Sequence, residues 1–161
     1  MALSIGDRIP LATLTTMTDS GPQPVESDEV LGKGTVVLFA VPGAFTPTCS
    51  DDHLPGFVLQ ADQLLAKGVD RIACIAVNDS FVLDAWGKAR DVGDKILMLG
   101  DGNGQFTAAA GMELDASGFG LGTRSKRYAA VLEDGVVKDL FVEADGVGLS
   151  VSAADAVLAT L

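Results

Sequence analysis

Thr35-Val36-Val37-Leu38-Phe39-Ala40-Val41-Pro42-Gly43-Ala44-Phe45-Thr46-Pro47-Thr48-Cys49 is the stretch that decides the fold. Its first seven residues form an apolar run without alternation, the pattern of a central strand covered by helices on both faces. A helical pattern follows from Cys49 to Lys67, in which Phe57, Ala61, Leu64 and Leu65 share one stripe. Pro55 inside that pattern removes a donor and predicts a kink, and Gly68 ends the helix. Cys49 is therefore expected at a helix N-terminus, beneath a hydroxyl. Unpaired N–H groups and the dipole at such a position, helped by a nearby arginine, favour thiolate over thiol.

Outward from this segment, Arg71 to Val77 reads as a second strand, and Asn78-Asp79-Ser80 supplies short oxygens to cap a helix through about Ala89. Strand, helix, strand implies a parallel pair. Ile96 to Leu99 predicts a short strand, Asp101-Gly102-Asn103-Gly104 a turn, Gln105 to Ala110 a small helix and Gly118 to Gly122 a loop. Ser125 to Leu132 and Val136 to Val142 flank Glu133-Asp134-Gly135, an antiparallel hairpin signal, and Ser152 to Leu161 reads as a closing helix. Upstream, residues Ile9 to Val25 are interrupted by Asp19-Ser20-Gly21-Pro22-Gln23-Pro24, which predicts a hairpin with a loose turn. The expected class is α/β, a mixed central β-sheet flanked by helices with an N-terminal hairpin extension, an order that fits a thioredoxin-like fold. No repeat or linker divides residues 1–161, so one domain is expected.

Composition narrows the function. The chain has 161 residues, 48% of them hydrophobic, enough for one complete core. Its formal net charge of -11 would repel a polyphosphate backbone, so nucleic acid is not an expected partner. The first residues lack a basic start and a long apolar stretch, and no later run approaches membrane-spanning length; a cytoplasmic protein with no membrane partner is expected. Two cysteines 25 positions apart make no disulfide framework, and with one histidine they fall short of a structural zinc set. Neither metal nor cofactor is expected.

Taken together, these residues resemble the peroxiredoxins, specifically the type II group built around peroxiredoxin 5, nearly from end to end. The family's Pro-x-x-x-Thr-x-x-Cys signature is present as Pro42, Thr46 and Cys49, its His-Leu-Pro-Gly as His53 to Gly56, and its Arg-Ser-Lys-Arg-Tyr as Arg124 to Tyr128. Val77-Asn78-Asp79 and Glu133-Asp134-Gly135 also look like type II landmarks. The resemblance implies a thiol-dependent peroxidase that reduces hydrogen peroxide and organic hydroperoxides. It implies Cys49 as the nucleophile that cycles through a sulfenic acid, and Thr46 as an acceptor that orients the peroxide. Arg127 would favour the thiolate and donate to peroxide oxygens, Pro42 would shield the sulfur, and the Cys49 N–H would add a donor. Arg127 rather than Arg124 matches the family's arginine, which immediately precedes an aromatic position; Arg124 reads as a supporting charge, at a dimer contact.

Blander readings exist for each residue. Without the family, Cys49 could be a buried structural thiol, Thr46 and Pro42 could merely shape a turn, and Arg127 could be a strand-surface charge. His53 lies four residues after Cys49 and invites a cysteine–histidine pair, but the family does not use histidine as its base, so a supporting hydrogen bond is expected. Cys74, among Ile72, Ala73, Ile75 and Ala76, reads as core, with its thiol pKa raised. Gly32-Lys33-Gly34-Thr35 lacks the spacing and context of a phosphate loop.

The partners follow from the second thiol. Some type II members carry a resolving cysteine just after a Gly-Leu pair, where this chain reads Gly148-Leu149-Ser150-Val151. An external thiol is therefore expected, glutathione with glutaredoxin first and thioredoxin second. The resemblance also implies a homodimer to which Phe45, Phe119 and Leu149 could contribute apolar contacts. Two other functions compete. A thiol-disulfide oxidoreductase would need a Cys-x-x-Cys pair, but Thr46 stands where its first cysteine belongs. A noncatalytic redox sensor or interaction protein would share the reactive thiolate without the turnover.

Overall fold

Burial on both faces of Thr35–Val41 splits its side chains between two cores. Val37, Phe39 and Val41 face one layer, and Val36, Leu38 and Ala40 the other. The computed structural model describes residues 2–161. In chain order its elements are β1 (Thr13–Thr18), β2 (Gly21–Glu26), α1 (Ser27–Leu31), β3 (Thr35–Val41) and a π-helical turn (Cys49–His53) that runs into α2 (Leu54–Ala66). There follow β4 (Arg71–Ala76), α3 (Ser80–Ala89), β5 (Leu97–Gly100), α4 (Gln105–Ala109), β6 (Glu113–Asp115) and β7 (Thr123–Ser125). The chain closes with β8 (Tyr128–Glu133), β9 (Val136–Val142) and α5 (Ala154–Leu158).

Seven strands form one mixed sheet in the order β2-β1-β5-β4-β3-β8-β9. β3, β4 and β5 are parallel, as the strand, helix, strand pattern requires, while β1, β8 and β9 run antiparallel to their neighbours. One core contains Phe57, Leu64, Trp86 and Val157 from the helices, with Cys49, Ile72, Cys74 and Val131. The opposite core joins Leu14, Leu31, Phe106 and Met112 to Ala73, Ile75 and Tyr128. Among the described residues no helix is long and apolar enough to cross a membrane.

Several elements differ from the expected ones, each for a local reason. The loose turn expected over residues 19–24 is tight: Thr18 pairs with Gly21, and Pro22 and Pro24 lie within β2. β2 is the edge of the sheet, so two prolines at alternate positions lack only N–H groups that would face away from β1. The strand expected from Ser125 to Leu132 is broken. Ser125 pairs with Glu113 in a separate two-stranded ribbon, whereas Tyr128 pairs with Ala40 in the main sheet. The intervening Arg127 leaves the ladder and turns inward, 2% exposed. The closing helix is confined to Ala154–Leu158. The hairpin signal at Glu133-Asp134-Gly135 holds: Glu133 pairs with Val136, and Asp134 and Gly135 both have positive φ, 48° and 80°, as a type I′ turn demands.

This topology puts three strand ends side by side. The C-terminal end of β3, the start of β8 and the C-terminal end of β9 meet at one edge, where Ala40 is opposite Tyr128 and Tyr128 opposite Val142. The floor beneath is aromatic: Phe39 and Phe57 stack with centroids 4.0 Å apart and planes 3° from parallel. Phe57→Ala is expected to destabilise the fold by about 3–5 kcal/mol, the range for emptying a buried phenyl site, as measured by urea denaturation.

Candidate active site

Pro42 to Thr48 leaves the end of β3 and enters a helix that is already formed at Pro47. Proline suits a first helical position, because its missing N–H would have no partner there. Thr46 precedes it. Its hydroxyl donates to the Gly43 carbonyl at 2.7 Å, and its own carbonyl accepts the Ser50 N–H at 2.8 Å. With its hydrogen spent on Gly43, the Thr46 oxygen can only accept from anything placed above it. Phe45 holds the loop in shape at φ +64°, a left-handed conformation costly for a side chain of its size.

The helix begun at Pro47 widens to a π-helical turn over Cys49–His53, where the Leu54 N–H donates to the Cys49 carbonyl. Pro55 then sits in the first turn of α2. The irregularity expected from this proline is therefore a widened turn just ahead of it. Cys49, Ser50 and His53 all point inward from that turn. The Ser50 hydroxyl accepts the Trp86 indole N–H at 2.7 Å.

Arg127 brings the pieces together. Its Nη2 donates to Cys49 Sγ at 3.0 Å, its Nη1 bonds to His53 Nδ1 at 2.8 Å, and its Nε donates to the Val147 carbonyl at 3.0 Å. The tautomer of His53 follows from its partners. Nε2 lies 3.0 Å from the Ser152 carbonyl, which can only accept, so Nε2 carries the proton and Nδ1 accepts from the guanidinium. Burial, and then the Arg127 charge, push the His53 pKa from 6.5 down to about 3, against the opposing influences of the Ser152 carbonyl and Glu143. Both ring nitrogens are committed and the ring is neutral, which matches a supporting hydrogen bond and leaves His53 no lone pair for a base.

The remaining candidates also have definite places. Pro42 is buried, and Arg124 braces the loop by donating to Leu121 O at 2.9 Å and to Pro42 O at 3.5 Å. Cys74 is fully buried and belongs to the same core layer as Cys49. Burial and then the Cys49 sulfur push its thiol pKa well up, with Arg127 opposing. Both cysteines are free. Among the described residues no three His, Cys, Asp or Glu side chains group as a metal site.

A sulfur touched by a buried guanidinium, three residues after a threonine whose hydroxyl oxygen is left to accept, is a particular arrangement, and known proteins share its sequence and fold. The Redoxin family model matches residues 4–158. The chloroplastic peroxiredoxin-2E of Arabidopsis thaliana is 48% identical over 159 residues, covering 96% of this chain and 68% of that one. The chain belongs to the type II peroxiredoxins. Peroxiredoxin-2B of Arabidopsis thaliana is 42% identical over 160 residues, 99% of this chain and 98% of its own. The crystal structure of reduced Prx3 from Vibrio vulnificus in complex with hydrogen peroxide matches with a TM-score of 0.93 at 50% identity, over 98% of each chain. The fold of this peroxiredoxin is thus thioredoxin-like.

Residues that sequence reasoning missed stand behind the cluster. Ser50 and Trp86 meet from positions 36 apart. Glu143, 3% exposed, accepts from the backbone and the hydroxyl of both Ser150 and Ser152. Burial alone would raise its pKa, but the bonds from Ser152 and Ser150 outweigh it and bring the carboxyl to about 2. A carboxylate at the end of an apolar strand, followed by Ser-x-Ser, was the available signal.

His53 is the only histidine in the chain, so its titration can be isolated. The folded state keeps it neutral down to about pH 3, while the unfolded chain protonates it near 6.5, so the unfolded state binds more protons between those values. Stability should therefore fall as pH drops from 6.5, with a slope approaching about 1.4 kcal/mol per pH unit near pH 5. Urea denaturation between pH 7 and 5 measures this slope, and His53→Gln should flatten it.

Proposed function

We propose that this chain is a thiol-dependent peroxidase in which Cys49 is the nucleophile, Arg127 and Thr46 hold the peroxide, and Pro42 limits access of water to the sulfur. The observation that carries the reading is the 3.0 Å bond from Arg127 Nη2 to Cys49 Sγ, with Thr46 committed as an acceptor three residues earlier. A guanidinium stabilises negative charge on the sulfur and cannot remove a proton itself. The Cys49 thiolate attacks one peroxide oxygen; the S–O bond forms as the O–O bond breaks. The departing oxygen takes the peroxide's own proton and leaves as water or an alcohol, and the sulfur is left as a sulfenate. Thr46 accepts a hydrogen bond from the peroxide and fixes the line of attack, while Arg127 and the first-turn N–H of Cys49 face the charge that builds on oxygen.

The sulfenic acid must then condense with a second thiol. Ser150 occupies the place of a C-terminal resolving cysteine, and its hydroxyl is bound to Glu143 at 2.8 Å. Cys74 is locked in β4 opposite Phe39, with its thiol held protonated by burial. An external thiol therefore closes the cycle in our reading: glutathione with glutaredoxin before thioredoxin. We place the enzyme in the cytoplasm as a homodimer packed through the loops around the site. Phe45 and Phe119, 53% and 82% exposed, and the half-buried Leu149 supply apolar surface there.

Cys49→Ser should abolish peroxide consumption, whereas Cys74→Ser should leave the first oxidation intact, as followed by mass measurement after one equivalent of hydrogen peroxide. Sustained turnover with glutathione and glutaredoxin distinguishes the enzyme from a sensor, which would stop after one oxidation. Thr46→Val should slow oxidation by about 10²-fold or more, since it removes the oxygen that orients the substrate, and Thr46→Ser should retain most of the rate. Phe119→Glu should shift a dimer toward monomer in sedimentation velocity.

A further inference from the structure

Arg127 is aimed at the sulfur partly through backbone carbonyls, directly or by way of His53, and carbonyls on a loop are only as fixed as the loop. Two of them matter: Val147 O, which takes Arg127 Nε, and Ser152 O, which takes His53 Nε2 and so orients the ring that accepts Arg127 Nη1. Both belong to the segment between β9 and α5, which carries no regular secondary structure of its own. Its shape comes from side chains. Glu143 Oε2 accepts the Ser150 N–H at 3.0 Å, the Ser152 N–H at 2.8 Å and the Ser152 hydroxyl at 2.6 Å, and Oε1 accepts the Ser150 hydroxyl at 2.8 Å. Asp145 Oδ1 accepts the N–H groups of Val147 and Gly148 at 2.9 and 2.7 Å. The base of the segment is tied to the arginine's own backbone: Glu143 N donates to Arg127 O at 3.1 Å, and Arg127 N donates to Gly146 O at 2.7 Å.

We propose that Glu143 is a positioning residue for the peroxidase reaction: by gathering four hydrogen bonds from Ser150 and Ser152 it folds the 145–152 segment so that Val147 O and Ser152 O hold the Arg127 guanidinium against Cys49. The proposal rests on the reading of Cys49 as the nucleophile. It assigns the carboxylate no contact with peroxide. Nothing else in the cluster explains why a buried acid should stand here, since Arg127 already has a partner for Nε and for each terminal nitrogen. What matters is geometry rather than charge. A glutamine in this place keeps the arrangement, its carbonyl oxygen taking the three donors of Oε2 while its NH₂ donates to the Ser150 oxygen. Aspartate keeps the charge but withdraws the acceptors by one methylene, so it cannot serve both serines.

The test compares Glu143→Ala, Glu143→Asp and Glu143→Gln with the intact chain in three measurements: the rate of Cys49 oxidation by hydrogen peroxide, the rate of Cys49 alkylation by iodoacetamide at pH 7, and the ¹⁵N signals of the single histidine. Glu143→Ala and Glu143→Asp should slow both reactions by about tenfold or more, as expected for a displaced reacting group. Glu143→Gln should recover to within about threefold, as expected when hydrogen bonds are weakened but not lost. In the slow variants the His53 signals should move from a single Nε2–H tautomer toward a mixture. Should Glu143→Ala fail to fold, the aspartate and glutamine pair still decides. Normal rates in Glu143→Asp with slow ones in Glu143→Gln overturn the proposal in favour of charge, and unchanged rates in Glu143→Ala or Glu143→Asp overturn it altogether. Absence of peroxide consumption by the intact chain would remove the peroxidase reading instead, leaving the alkylation and ¹⁵N comparisons to judge the positioning role.

Discussion

A guanidinium taken out of water must find an acceptor at each of its nitrogens, because an unmatched buried charge costs several kcal/mol. Arg127 meets that demand with one sulfur, one imidazole nitrogen and one carbonyl, each at 2.8–3.0 Å. Much of the surrounding architecture follows from it. The ladder breaks at Lys126-Arg127 so that the side chain can turn inward. In the widened turn after Thr46, Cys49 and His53 both face inward. The segment beyond β9 folds back to deliver the third acceptor.

Rigid and adaptable parts are divided accordingly. β3 is buried on both faces and carries the Pro42–Thr46 loop on a frame with little freedom, and the stacked Phe39 and Phe57 rings support the imidazole with centroids 5.1 and 5.5 Å away. The arginine stands immediately before β8, which pairs with β3, so the distance between sulfur and guanidinium is set by strand pairing as well as by local contacts. The C-terminal segment is held by carboxylates, hydroxyls and a few backbone bonds, and there the chain achieves by hydrogen bonding what it achieves elsewhere by packing.

What could be read in advance was what local chemistry encodes. Buried strands announce themselves as unbroken apolar runs, and Asp134-Gly135 announces a type I′ turn because few other pairs tolerate two positive φ angles. Thr46 and Cys49 could be singled out because Pro42, Thr46 and Cys49 fall at one short, recognisable spacing. The prolines of β2 misled because a proline reads as a breaker unless the strand is known to be an edge, which is a property of the whole sheet. The break before Tyr128 was hidden for the same reason: Ser125 and Tyr128 look continuous until their partners, Glu113 and Ala40, are known. Glu143 and the Ser50–Trp86 pair join positions that only the completed fold brings together, and no spacing rule spans them.

Trp86 is the chain's only tryptophan, and its indole N–H is bound to the hydroxyl of the residue that adjoins Cys49. Indole emission responds to fields acting along the ring, and this ring is bonded to the neighbour of a sulfur whose charge would change on oxidation. Emission excited selectively at this indole is therefore expected to change when that sulfur is oxidised, which would let the proposed cycle be followed in real time without a label.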